Sequence, residues 1–146
     1  MFGRRYDDFN QGEEILHWPG KTITESDNNF FSLLTMNHHP VHLDAVYAEA
    51  QQHGKILVVG TYIFSLVVGQ SVRDISGQAV ANLSYENVLH VGPSFVGDTI
   101  YSKSTVLSKR LSQSNPHQGI VSVETVAWNQ DDEDILKFSR SVLVPV

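Results

Sequence analysis

Cysteine is absent from the 146-residue chain, which excludes disulfide bonds, zinc sites built from thiolates and a cysteine nucleophile. Basic residues are few, since 10 Lys and Arg stand against 16 Asp and Glu and give a formal net charge of −6. This deficit disfavours binding to duplex nucleic acid. Long apolar runs are also missing. The longest, residues 56–68, is too short to cross a bilayer and contains Gly60, Thr61 and Ser65, so we expect it to be buried in protein.

The length and composition are those of an ordinary globular domain. A chain of 146 residues suits one hydrophobic core, and we expect a single domain over residues 1–146. The first residues, MFGRRYDDFNQGEE, become acidic where a signal peptide would become apolar. We therefore expect a cytoplasmic protein that does not associate with membranes.

Short helices and turns are predicted in the first half of the chain, after a strand at residues 14–22. Thr24 is a suitable N-cap for a helix, and Asp44 for a second one over residues 45–52. Between them Pro40 breaks the helical pattern. The buried side of the first helix is predicted to consist of Phe30, Phe31, Leu33 and Leu34.

The second half predicts a buried helix followed by strands. The apolar run that begins at residue 56 is longer than ordinary strands, so we interpret it as a helix that other elements surround. Residues 79–89, 99–111, 119–129 and 135–146 are rich in Val, Ile, Thr and aromatics and are separated by turn-forming segments. The predicted fold is α+β, with an antiparallel sheet around the apolar helix.

The densest cluster of polar side chains is NHHPVHLD, residues 37–44, at the break between the first two helices. His42 is the strongest candidate for chemistry, because an imidazole can take up and return a proton near neutral pH. The alternative is that His42 only binds a carbonyl group of the turn. His38 and His42 have the spacing of a helical metal site, but Pro40 interrupts that helix, and we expect no metal.

At this cluster the sequence resembles the MaoC-like hydratases and dehydratases of the hot-dog fold. Their signature is Asp, any residue, Asn, Pro, a branched aliphatic residue and His, and the matching window here is residues 37–42. The similarity continues through LDAVYAEA, the apolar run with Gly60, and VGPSFVGDTIY. The resemblance implies a sheet wrapped around a central helix and hydration of a 2-enoyl-CoA thioester. The string around TMN and HLD is similar to the subset that uses mesaconyl-, methylmalyl- and itaconyl-type CoA esters.

The resemblance also implies roles for individual residues. In the family an Asp and the His share a water molecule, and Asn37 occupies the position of that Asp. An amide cannot transfer a proton, so His42 would act as the only base while Asn37 orients the water. Backbone amides at the start of the apolar helix would bind the thioester oxygen, and Ser65 would face the acyl group. The residues expected at this helix start are Val59, Gly60 and Thr61; for Gly60, close packing of helix against strand is an equal alternative.

Binding of coenzyme A requires positive charge near the site. The candidates for its phosphates are Lys55, Lys103, Lys109 and Arg110. The resemblance implies a homodimer with the substrate at the subunit boundary, and no cofactor besides the CoA thioester that serves as substrate. Two alternatives stay open, a hot-dog thioesterase and a non-catalytic acyl-CoA-binding subunit.

Overall fold

A computed structural model describes residues 2–146. Its helices and strands follow the predicted order, with a 3-10 turn at Tyr6–Asp8 and a π-helical turn at Val72–Ser76. The strands are β1 (Glu14–Thr22), β2 (Ala81–His90), β3 (Thr99–Leu111), β4 (Gln118–Trp128) and β5 (Asp134–Pro145). The helices are α1 (Glu25–Leu34), α2 (Pro40–Leu43), α3 (Ala45–Glu49) and α4 (Gly60–Ser71).

The five strands form one antiparallel sheet in the order β1-β3-β4-β5-β2. Alternate residues of β3 and β4 are buried, as expected for strands with one covered face. Helix α4 lies on that face, where Ile63 and Val67 join a core cluster with Ile100 and Phe138. The prediction of an α+β fold with a sheet around the apolar helix is confirmed.

The predicted buried side of α1 is wrong for three of its four residues. Phe30, Leu33 and Leu34 are 70%, 55% and 67% exposed, whereas Asn28 and Ser32 are 2% and 0% exposed. Phe31 is half-buried and packs edge-on against the ring of Tyr62. Asn28 and Ser32 are four residues apart and share one face of the helix, which forms hydrogen bonds with backbone groups of the surrounding loops.

Helix boundaries follow the capping residues. Thr24 accepts a hydrogen bond from the amide of Asp27, and Asp44 accepts one from the amide of Tyr47, so both predicted N-caps are confirmed. The helix after Asp44 is shorter than predicted and ends at Glu49. Its last turn tightens, because the amide of Ala50 bonds to the carbonyl of Tyr47 three residues back.

Two surfaces stay uncovered by the residues that the structure describes. One face of α4 is exposed along residues four apart, Thr61, Ser65 and Gly69. Strand β2 lies at an edge of the sheet, pairs only with β5 and is exposed along most of its length.

Among residues 2–146, no helix is both long and apolar enough to cross a membrane.

A buried histidine connects β1 to the turn after α4. The His17 ring is 1% exposed, with Nδ1 at 2.8 Å from Asp74 Oδ2 and Nε2 at 2.7 Å from Ser104 Oγ. Ser104 Oγ also lies 2.7 Å from Thr125 Oγ1. Burial lowers the pKa of His17 below its usual 6.5, and the adjacent Asp74 carboxylate only partly opposes this effect.

The lowered pKa of His17 predicts a loss of stability in acid. The unfolded chain takes up a proton on this ring below about pH 6.5, whereas the folded chain resists it, so the stability from the neutral ring decreases as pH falls below that value. We expect the difference in free energy of unfolding between the wild type and His17→Gln to shrink from pH 7.5 to pH 5 in urea titrations. His117→Gln, at an exposed position, should leave the wild-type pH dependence unchanged. A His17→Gln difference independent of pH would contradict this account.

Candidate active site

His42 lies on α2, the single helical turn that Pro40 begins. His39 caps this turn, because its Nδ1 accepts a hydrogen bond from the amide of Val41 at 3.1 Å. A histidine cap and a proline at the first helical position fix the start of the turn. His42 follows in its last part and is half-buried.

One hydrogen bond determines which nitrogen of His42 is basic. Nδ1 lies 2.7 Å from the carbonyl oxygen of Leu57. A carbonyl oxygen only accepts, so the neutral ring must carry its proton on Nδ1 and leave the lone pair on Nε2. The ring does bind a carbonyl group, but the carbonyl belongs to the segment before α4 and not to the turn of His42, as the alternative interpretation had it.

The side chain of Asn28 connects His42 to the start of α4. Its Nδ2 donates to the carbonyl of His42 at 3.2 Å, and its Oδ1 accepts from the amide of Val59 at 3.0 Å. Sequence reasoning missed this residue. The available signal was the four-residue spacing of Asn28 and Ser32, two polar side chains that share one face of a helix and can bind backbone groups there.

His42 faces a cleft of about 410 Å³, which we call the His42 cleft. Asn28, Ile56 and Phe95 form part of its wall. Its charged residues are Glu25, Glu49 and Lys55, and the Lys55 Nζ lies 4.1 Å from the centre of the Phe95 ring. The cleft therefore combines apolar side chains with an imidazole and a few charged groups in its lining, as ligand sites commonly do.

The start of α4 supplies fewer free amides than the sequence analysis predicted. The Val59 amide is already bound to Asn28, so Val59 is wrong as a donor to substrate. The amides of Gly60 and Thr61 belong to the first turn of the helix, where no intrahelical acceptor exists. At Gly60 an added Cβ would lie 3.2 Å from the ring of His90, so the close-packing alternative also holds for this glycine.

The structure places Asn37 and Ser65 in different surroundings. The buried Ser32 forms two hydrogen bonds with the backbone of Asn37: its carbonyl accepts from the Asn37 amide, and its hydroxyl donates to the Asn37 carbonyl. Its Oδ1 accepts only a long contact of 3.4 Å from the amide of His39. Asn37 does not line the His42 cleft, and its role toward water stays a prediction. Ser65 lies on the exposed face of α4, where its role toward the acyl group also stays a prediction.

The phosphate candidates separate into two groups. Only Lys55 lines the His42 cleft. Lys103 pairs with Glu14 at 2.9 Å, and Lys109 donates to the carbonyl of Tyr6 at 3.2 Å with its ammonium over the Tyr6 ring. Arg110, near the end of β3, is exposed and contacts the carbonyl of Leu111. The structure does not bring these three residues of β3 to the cleft. The sequence could not reveal this, because spacing along a strand does not specify which end of the strand lies near a site.

A metal site is not formed by the residues that the structure describes, 2–146, since no three His, Asp or Glu side chains there are grouped to hold an ion. His38 and His39 are exposed, and His39 is used as a cap.

Comparison with known proteins identifies the family. A family model described as mesaconyl-CoA hydratase matches residues 2–146. The chain belongs to this family. It is 34% identical to a mesaconyl-CoA hydratase of Cereibacter sphaeroides over 97% of the chain and 41% of that protein. It is 30% identical to a β-methylmalyl-CoA dehydratase of Chloroflexus aurantiacus over 97% of the chain and 40% of that protein.

Solved structures confirm the hot-dog fold. A MaoC domain protein of Chloroflexus aurantiacus superimposes with a TM-score of 0.94 at 30% identity, covering 99% of this chain and 41% of that one. The Mycobacterium tuberculosis protein RV0216, described as a double hot-dog fold, gives a TM-score of 0.91 at 22% identity and covers 99% of this chain and 44% of that chain. The chain thus spans about two fifths of the length of these relatives of the mesaconyl-CoA hydratase family.

The contacts of Asn28 predict its contribution to stability. Asn28→Ala leaves a carbonyl and an amide without their partner, and each buried group left unsatisfied costs about 1–3 kcal/mol. We expect a decrease in the free energy of unfolding of that order, measured by urea titration. The neighbouring Asn29 is exposed, so Asn29→Ala should change stability by no more than about 0.5 kcal/mol. Equal effects of the two substitutions would show that Asn28 does not hold the site together.

Proposed function

We propose that this chain is a hydro-lyase that adds water to, or removes it from, a 2-enoyl-CoA thioester. The observation that carries the proposal is the His42 ring, whose Nδ1 is bound to Leu57 and whose Nε2 is left as the base beside a cleft of about 410 Å³. Membership of the mesaconyl-CoA hydratase family and relatives named as hydratases and dehydratases support the same reaction.

The proposed reaction uses one water molecule and one base. Nε2 of His42 removes a proton from the water while the oxygen bonds to the β-carbon of the enoyl group. The electrons of the double bond move toward the thioester, whose oxygen becomes an enolate bound by the amides of Gly60 and Thr61. His42 then returns the proton to the α-carbon, so the elements of one water are added and no cofactor is consumed. Asn37 orients the water in this scheme.

The three charged residues of the cleft lining bear on how coenzyme A binds. Lys55 is the cation of the His42 cleft, and we propose that it contacts a phosphate of coenzyme A. Its partial neutralisation by the carboxylates of Glu25 and Glu49 in the same lining makes this a weak attraction.

The location in the cytoplasm stays a prediction from the sequence.

Hydration activity tests the role of His42. The wild type should consume the enoyl absorbance of crotonyl-CoA or of a branched enoyl-CoA without releasing free thiol. His42→Ala should lower kcat by a factor of about 10²–10⁴, the usual contribution of a general base, while the protein stays folded by circular dichroism. Asn37→Ala should lower kcat less, since it removes orientation and not the base.

The control is His38→Ala, because His38 is exposed and has no role in this scheme. It should retain wild-type kcat and KM. Full activity of His42→Ala would refute the assignment of the base. Release of free thiol at the same rate as loss of the enoyl group would instead support the alternative of a thioesterase, and binding of crotonyl-CoA without either reaction would support a non-catalytic acyl-CoA-binding subunit.

We also propose that two copies of the chain pair along β2. Leu83, Tyr85, Leu89 and Val91, on and just after this edge strand, are 49%, 40%, 52% and 53% exposed. An edge strand with exposed apolar side chains is a template for pairing with another strand. The relatives that are more than twice as long, one of them described as a double hot-dog fold, support the presence of a second unit.

Mass measurements in solution test this pairing. Light scattering after gel filtration should give twice the chain mass of 16.3 kDa. Leu89→Lys should shift the protein toward the monomer, since it places a charge in the proposed contact. Leu111→Lys is a matched control, because Leu111 is also 52% exposed but lies at the end of β3. A monomeric wild type, or a dimer unaffected by Leu89→Lys, would exclude pairing through β2.

A further inference from the structure

A second cavity lies beside the N-terminus of α4, with a volume of about 380 Å³. We call it the α4 cavity. Gly60 and Ile63 form its wall on the helix side, and His90 and Ser94 form the wall on the side of the chain that links β2 to β3. Its lining contains no Asp or Glu, and its polar side chains are those of His53, His90 and Ser94.

The hydroxyl of Ser94 is buried in this wall without a partner. Ser94 is 4% exposed, and its Oγ makes no hydrogen bond within the described residues. Over residues 2–146 the other buried side-chain atom without a partner is Nε of Arg140, which does not line the cavity. A buried hydroxyl without a partner costs stability, so its presence requires an explanation.

The backbone holds Ser94 next to the start of α4. The carbonyl of Ser94 accepts a hydrogen bond from the amide of Val58 at 2.9 Å, and the adjacent Phe95 forms a β-bridge with Leu57. Val58 precedes Gly60 by two residues. Ser94 and Gly60, whose amide has no intrahelical acceptor, therefore border one cavity, and the same segment carries the Leu57 carbonyl that fixes the His42 ring.

We propose that Ser94 is a further catalytic residue, whose hydroxyl donates a hydrogen bond to the thioester oxygen alongside the amides of Gly60 and Thr61. This inference rests on the proposed hydro-lyase function. The oxygen gains negative charge as the enolate forms, so a donor already in place stabilises the transition state more than the ground state. A lining without carboxylates suits an oxygen that becomes anionic. The hydroxyl has no partner in the free protein, and the thioester oxygen of the bound substrate would be that partner.

The substitution Ser94→Ala separates function from stability. Loss of one donor to an oxyanion lowers kcat on the order of 10²-fold, and we expect this decrease with crotonyl-CoA at nearly unchanged KM. The melting temperature should stay the same or rise, because the substitution removes an unpartnered polar group. Ser102→Ala is the opposite control: Ser102 is 0% exposed and donates to Gln70 Oε1 at 2.8 Å. That variant should lose stability and keep kcat.

A spectroscopic measurement tests the contact without turnover. Butyryl-CoA has no double bond to hydrate, and isotope-edited infrared spectroscopy reports the stretching frequency of its thioester carbonyl. We expect a shift to lower frequency on binding to the wild type and a smaller shift with Ser94→Ala. An unchanged shift together with unchanged kcat would refute the role of Ser94 while leaving the hydratase function intact.

Substrates with a second carboxylate distinguish the remaining possibility. If Ser94→Ala slows hydration of mesaconyl-CoA but not of crotonyl-CoA, the hydroxyl binds a carboxylate of the acyl group, and its assignment to the thioester oxygen is wrong. If the wild type binds butyryl-CoA but hydrates neither substrate, the hydratase function fails, and the infrared shift still decides whether Ser94 contacts the thioester. If the wild type binds no acyl-CoA, both proposals are wrong.

Discussion

The buried amide of Asn28 is the interaction on which the candidate site depends. Its two ends bind the carbonyl of His42 and the amide of Val59, so a single side chain of α1 fixes the distance between His42 and the start of α4. An amide has one donor end and one acceptor end, so it can bind a carbonyl and an N–H at the same time. An ionised Asp carboxylate of the same size only accepts and could not bind the His42 carbonyl.

Two further contacts on the segment from Leu57 to Val59 extend this arrangement. The Leu57 carbonyl fixes the protonated nitrogen of His42, and the Val58 amide binds the Ser94 carbonyl. Three consecutive residues thus bind the His42 ring, the backbone carbonyl of Ser94 and the side-chain amide of Asn28. The site is organised around a short extended segment, and the helix that follows supplies its amides from a position that this segment sets.

Much of the fold was predictable because local chemistry determines it. Richness in Val, Ile, Thr and aromatic residues between turn-forming segments specified the strands, and the side chains of Thr24 and Asp44 specified where helices begin. The orientation of α1 was not predictable from hydrophobicity, since its buried face carries Asn28 and Ser32 while Phe30, Leu33 and Leu34 are exposed. His42 was identifiable from its cluster. The loss of the Val59 amide to Asn28 and the distance of Lys103 from the cleft depend on contacts between residues far apart in sequence, which spacing alone does not reveal.

The exposed row of Thr61, Ser65 and Gly69 on α4 has an evolutionary consequence. These residues belong to the same helix whose first turn supplies the free amides, yet nothing among residues 2–146 covers them. In the proposed hydratase, the surface that closes over this row would form a further wall of the acyl site without contributing His42. Changes in that surface would alter which acyl groups fit and would leave His42 and its contacts unchanged.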